Sequence, residues 1–176
     1  MSEKLVLQLK ETALCKGLDD DEVERLAAAG RVEFWPSGAV VMEEGEDGPR
    51  LVCLIEGTVV VEKSDTSGQT HVIGQAGPGA VLGEMSLLTG TRRTATVRAT
   101  SSLRIFAIDK TTYEGMVEDG DPAALKLGIS IATVLAHRLV VLNTRFVEVL
   151  EELRGEDGAV HEFGKFRQEL FTRWNF

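Results

Sequence analysis

Between Leu82 and Ala99 the chain reads LGEMSLLTGTRRTATVRA. Gly83 and Glu84 open a short apolar turn, and two adjacent arginines, Arg92 and Arg93, precede an alternating strand. A helix of one or two turns beginning near Glu84 would leave its first backbone N–H groups without intrahelical partners, and such groups favour an anion. Arg93 returns nine residues after Glu84, where a guanidinium can fork onto a phosphate. Thr94 adds a hydroxyl donor beside it. Glu84 is a poor neighbour for a phosphate, but it suits a ligand that also presents hydroxyl groups, as a ribose does. Phosphate to Arg93 and the amides, sugar hydroxyl to Glu84: the set reads as two ends of one nucleotide.

Positioning these groups is the task of the rest of the chain. LVLQLKETALCKGLDDDEVERLAAAG reads as short helices, with Asp19 to Asp21 as an acidic N-terminal cap and Gly30 as a stop. From Arg31 the pattern changes to short β-branched runs broken by turn signals at PSG, EGEDGP, EG, SDTSG and AGPG. Such spacing predicts a sandwich or barrel rather than a parallel sheet, with SDTSG as a hairpin loop. After the quoted turn, RTATVRA and LRIFAID read as a strand pair, and Thr111 as the cap of a short helix. Pro122 sits in the first turn of a long helix to about Arg154. Its apolar positions, among them Leu125, Ile129, Leu135, Leu139, Leu142, Phe146 and Val149, follow a three/four spacing that predicts a coiled-coil-like seam. A single helix on a β-roll needs an apolar stripe of only part of that length, so the economical partner is a second copy. Beyond GEDG, Phe163, Phe166, Leu170 and Trp174 recur at helical spacing as a stripe that packs on its own domain or docks a partner.

Composition narrows the function. A 176-residue chain suffices for one well-buried domain plus an appendage. A formal net charge of −9 argues against general nucleic-acid binding, which needs a basic face. Cys15 and Cys53 are far apart in apolar contexts and read as buried thiols, not as a disulfide or metal motif. The polar N-terminus does not read as a signal peptide, and no run is expected to approach a membrane span, so a cytoplasmic protein is expected. A metal enzyme on a barrel would need clustered histidines, and the chain has three, none in an H-x-H pair. No nucleophile-elbow motif supports hydrolytic catalysis. The expectation is a binding protein, not an enzyme, with no cofactor.

The stretch Leu82, Gly83, Glu84, Met85, Ser86, Leu87, Leu88, then Arg92, Arg93, Thr94, Ala95, Thr96, Val97 strongly resembles the phosphate-binding cassette of cyclic nucleotide-binding domains. Upstream, Gly38, Gly45 and Gly57 match that family's turn glycines, and the resemblance covers about residues 10 to 145. It implies a mainly β fold: a double-stranded β-helix, jelly-roll-like, flanked by N-terminal helices and a long C-terminal helix. It also implies a cyclic purine mononucleotide ligand, cAMP or cGMP. By position, Glu84 would take the ribose 2′-hydroxyl and Arg93 the cyclic phosphate. The amides around Gly83 to Ser86, with the Thr94 hydroxyl, would complete the phosphate shell, and Leu82 and Met85 are counted with the ligand-binding residues. A looser match of the long helix to the catabolite activator branch puts Asn143 near the base and Arg138 at the pocket edge.

Three departures stand out: Leu82 replaces an aromatic, Arg92 replaces a proline, and Thr94 resembles a choice that favours cGMP without excluding cAMP. The activator branch follows its long helix with a DNA-reading domain, whereas the 22 residues after Arg154 are not expected to supply a recognition helix. The resulting expectation is a receptor with a β-roll and N-terminal helices over 1–121, a lid and homodimer helix over 122–154, and an amphipathic tail over 155–176. It would act on an unidentified protein effector, with no DNA and no membrane. The rival is a nucleotide-free scaffold of the same fold, with Glu84 and Arg93 as a leftover ion pair.

Overall fold

The acidic run ahead of Val23 starts a helix for a local reason. The Asp19 side chain accepts from Glu22 N at 2.9 Å, and Glu22 Oε2 accepts from Asp19 N at 2.7 Å. This reciprocal capping box opens α2 (Asp20–Ala29), which follows α1 (Glu3–Lys10) and a 3₁₀ turn at Ala13–Cys15. The computed structural model describes residues 3–153; the expected tail over 155–176 lies outside them.

Eight strands follow: β1 (Arg31–Trp35), β2 (Val40–Met42), β3 (Arg50–Glu56), β4 (Val59–Ser64), β5 (Thr70–Ala76), β6 (Val81–Leu82), β7 (Thr96–Ala99) and β8 (Leu103–Asp109). Between β6 and β7 lies α3 (Glu84–Thr89); α4 (Lys110–Glu118) and α5 (Pro122–Leu153) come last. Antiparallel pairing makes two four-stranded sheets, ordered β1-β8-β3-β6 and β2-β7-β4-β5. Their inner faces meet in a core that includes Val52, Leu54 and Ile105 from one sheet and Val59, Val97 and Ala99 from the other. The expected β-roll is present, and SDTSG is the β4–β5 hairpin loop.

Two local expectations are corrected. RTATVRA and LRIFAID do not pair: β7 bonds to β2 and β4, whereas β8 bonds to β1 and β3. The Thr100–Ser102 turn carries the chain from one sheet to the other, locked against the β3–β4 turn. A Cβ on Gly57, at φ +90°, would lie 2.3 Å from Ser102 O. The helix expected to be capped by Thr111 instead starts at Lys110 with Asp109 as N-cap residue. The Asp109 carboxylate is held by Arg31 and makes no cap bond.

Cys15 and Cys53 are free and buried, and burial raises their pKa values to about 11 and about 12.

Two compact units divide inside α5, between Ala132 and Thr133. In the first unit, Ala123, Ala124, Leu127 and Ile131 of α5 are fully buried, and Lys126 Nζ reaches Glu22 at 2.7 Å. In the second unit the helix exposes Leu139, Val140, Val141, Leu142 and Val147. The expectation that no run approaches a membrane span is also corrected. Pro122–Val149 is long and apolar enough by length and composition, an 18-residue stretch within it reaching a mean hydropathy of 1.7. The reason is sparse charge: Arg138 stands alone among the Asp, Glu, Lys and Arg positions from Leu127 to Thr144. Counting only the seam positions overlooks the apolar residues between them.

Candidate functional site

The strand–helix junction at Gly83 builds the site. Gly83 adopts φ +80° as the N-cap residue of α3, so no side chain caps the first turn. That left-handed turn brings Glu84 and Ser86 inward, exposed by only 5% and 3%, and leaves Met85 and Leu88 outward. Gly90, at φ +70°, ends α3 with its N–H on Ser86 O. The return loop then delivers Arg93 and Thr94 to β7.

Arg93 is 6% exposed. Its Nη2 donates to Gly48 O at 2.7 Å and its Nη1 to Arg50 O at 3.0 Å. Among the described residues no carboxylate forms an ion pair with it, although Glu46 and Glu84 lie close enough for their charge to act on it. Burial first, and then the Arg50 charge, lower its pKa, and the two acids oppose that shift. The outcome is a buried cation, fixed by neutral acceptors, with no anionic side chain among the described residues bonded to it. This differs from the leftover Glu84–Arg93 ion pair of the scaffold reading.

The β2–β3 loop, read in sequence only as a turn, holds this arginine. Gly45 N donates to Arg93 O at 2.9 Å, and Arg93 N donates to Glu46 O at 3.0 Å. Glu44 N donates to Thr96 Oγ1 at 3.0 Å, while the Glu44 carboxylate takes Lys63 Nζ at 2.8 Å and Ser64 N at 2.9 Å. Lys63 Nζ also donates to Thr94 O at 2.7 Å. These bonds place Glu44 and Lys63 among the residues that set the course of the segment, and the Lys63 bond holds the Glu44 pKa low. Sequence spacing carried no signal for them beyond the acidic turn EEGEDG. Arg92 is exposed and meets Asp47 at 3.3 Å, an ion pair of little energetic weight.

Leu82 is buried at the end of β6, against Val52 in the register of β3. Thr94 is exposed, and its hydroxyl lies 3.9 Å from Met85 Sδ. Thus the first unit brings Leu82, Gly83, Glu84, Met85, Ser86, Arg93 and Thr94 into one segment. Arg138 and Asn143 belong to the second unit, on an exposed part of α5.

An open cavity of about 460 Å³ also touches Arg93. Its remaining charged lining is Arg50 and Lys110 against Glu46, Asp47, Asp109 and Glu114, and it includes none of Glu84, Ser86 and Thr94. With acids outnumbering bases, it is a poor phosphate site. Among the described residues no group of His, Cys, Asp and Glu is arranged to hold a metal ion.

A family model described as the cyclic nucleotide-binding domain matches residues 32–119, half of the chain. The cyclic AMP receptor protein of Thermus thermophilus is 28% identical over 131 residues, covering 74% of this chain and 59% of that protein. A cAMP-dependent protein kinase regulatory subunit of Dictyostelium discoideum is 28% identical over 108 residues, covering 60% of this chain and 33% of its own length. The chain spans about three fifths of the first curated relatives it matches. Among solved structures, a cyclic nucleotide-binding domain from Methylobacillus flagellatus superposes with a TM-score of 0.77. That likeness is one of fold: identity is 21%, with 82% of this chain and 84% of that one covered.

Proposed function

Because the chain belongs to the cyclic nucleotide-binding domain family, we propose that it is a cytoplasmic receptor for a cyclic purine mononucleotide, cAMP or cGMP. Ligand binding regulates a partner protein by moving the C-terminal helix. The observation that carries this reading is Arg93: a buried guanidinium held by two carbonyls, with no carboxylate among the described residues bonded to it. A cyclic phosphate supplies the missing anion. The uncapped amides after Gly83 and the Thr94 hydroxyl donate to the phosphate oxygens, and Glu84 accepts from the ribose 2′-hydroxyl. Arg138 and Asn143 are assigned to the base side of the ligand. About 22 non-hydrogen atoms at roughly 0.3 kcal/mol each give about −7 kcal/mol, an affinity in the low micromolar range.

Calorimetric titration with cAMP and cGMP, with 5′-AMP as control, tests the reading. Micromolar binding of either cyclic nucleotide and weak response to 5′-AMP support it. The absence of binding by nucleotide-free protein overturns it in favour of an interaction scaffold. Within the receptor reading, Glu84→Ala is expected to weaken binding by about 1–3 kcal/mol, because it removes hydrogen bonds to one sugar hydroxyl and leaves the charge pair intact. A 2′-deoxy nucleotide should lose as much against the wild type and nothing further against Glu84→Ala.

The exposed apolar face of α5, with Leu139 at 48% and Leu142 at 65%, supports a homodimer through this helix. Sedimentation on the order of tens of micromolar should give a dimer, and Leu142→Glu should shift it to monomer. A wild-type monomer under those conditions removes the dimer. The acidic net charge of −9 favours a protein effector over DNA.

A further inference from the structure

Met85 is the exposed methionine among those described: it is 45% accessible, whereas Met42 is 3% accessible and Met116 is half-buried. It is the second residue of α3, beside Glu84, and its sulfur touches the Thr94 hydroxyl at 3.9 Å. The two thiols do not compete for oxidant, because Cys15 and Cys53 are buried and hold their protons well above neutral pH. The reactive sulfur of the described chain therefore lies in the cassette itself.

We infer that Met85 is an oxidation site and that its sulfoxide blocks anion binding at Arg93 and Thr94. The inference rests on the receptor reading. The oxidant is a hydroperoxide. The sulfur lone pair attacks the peroxide's terminal oxygen, the O–O bond breaks, an S–O bond forms, and the proton of that oxygen passes to the departing oxygen. Sulfur is oxidised by two electrons, and the peroxide is reduced to water or an alcohol. The product is a strong hydrogen-bond acceptor with negative charge on oxygen, where the thioether was a weak one. It takes the Thr94 hydroxyl proton that a phosphate oxygen needs, and it sets a partial negative charge beside an incoming anion. Conversely, a bound nucleotide shields Met85 from peroxide.

The test begins with the affinity of untreated full-length protein for cAMP and cGMP, since failure there overturns the receptor reading. The protein is then treated with hydrogen peroxide, with and without the nucleotide, and the added oxygen is mapped by peptide mass spectrometry. Met85 should gain oxygen before Met42 and Met116, and saturating nucleotide should slow it. Affinity should fall by roughly tenfold or more, and methionine sulfoxide reductase should restore it. Met85→Leu, whatever its starting affinity, should show no further loss on peroxide treatment, while Met116→Leu should keep the sensitivity. Unchanged affinity with Met85 fully converted overturns the inference, as does an equal peroxide-dependent loss in Met85→Leu. Oxygen reaching Met42 or Met116 first also overturns it, and that readout needs no nucleotide.

Discussion

Arg93→Ala is expected to weaken cyclic nucleotide binding by about 2–5 kcal/mol, a loss of roughly thirtyfold to several thousandfold. The guanidinium is 6% exposed, and Nη1 and Nη2 are already oriented by Arg50 O and Gly48 O. Two consequences follow from that geometry. The cation is pre-positioned, so a phosphate gains its attraction without the entropic cost of ordering a long side chain. Removing it leaves the phosphate in a desolvated place without a counter-charge. The substitution also leaves two carbonyls without this donor, at a cost of about 1–3 kcal/mol in stability if water does not replace it. A thermal melt without ligand measures that part, and titration measures the rest. Arg93→Lys separates charge from geometry, since an ammonium keeps the charge but loses the planar fork. Its affinity should lie between wild type and Arg93→Ala. Wild-type affinity in Arg93→Ala would show that the segment does not hold the phosphate.

What was legible in the sequence was the local part. Asp19 with Glu22 marks the start of α2 because a capping box lies within one turn. SDTSG marks the β4–β5 hairpin because its two strands are adjacent in sequence. The Gly83–Thr89 turn-helix was readable because a glycine at the turn and the short apolar run after it are both local properties. Long-range choices were not readable. LRIFAID alternates as well as RTATVRA, and nothing in either run says that they join opposite sheets. Nor could spacing show that Gly48 and Arg50, more than forty residues upstream of Arg93, supply its acceptors. The clamp through Glu44 and Lys63 is hidden for the same reason: its three partners come from the β2–β3 loop, β4 and the return loop. In the long helix, reading positions as a seam obscured the total hydropathy, which counts every position.

Gly83→Ala should be the most damaging single-methyl change in the site. At φ +80° an alanine carries the left-handed cost of roughly 1 kcal/mol. The added Cβ would lie 2.4 Å from Arg50 O, 2.5 Å from Arg93 Nη1 and 3.1 Å from Met42 Cε. The first contact is backbone in β3 and cannot swing aside, and the second is the group on which binding depends. Overpacking of this kind costs a further 1–3 kcal/mol or so. The expected result is a fall in melting temperature of roughly 4–16 °C, together with loss of nucleotide binding, because relieving the clash moves Arg93 off its carbonyls. Gly90→Ala at the other end of the same helix is the control. Its φ of +70° brings a similar backbone cost, but the sole close neighbour of its Cβ is Lys110 Nζ at 2.9 Å, the free end of a flexible chain. It should lose only about 1 kcal/mol of stability and keep its affinity. Equal binding losses in the two variants would mean that helix distortion, not contact with Arg93, explains the effect at Gly83. Loss confined to Gly83→Ala ties the absent side chain at that position to the placement of the phosphate-binding cation.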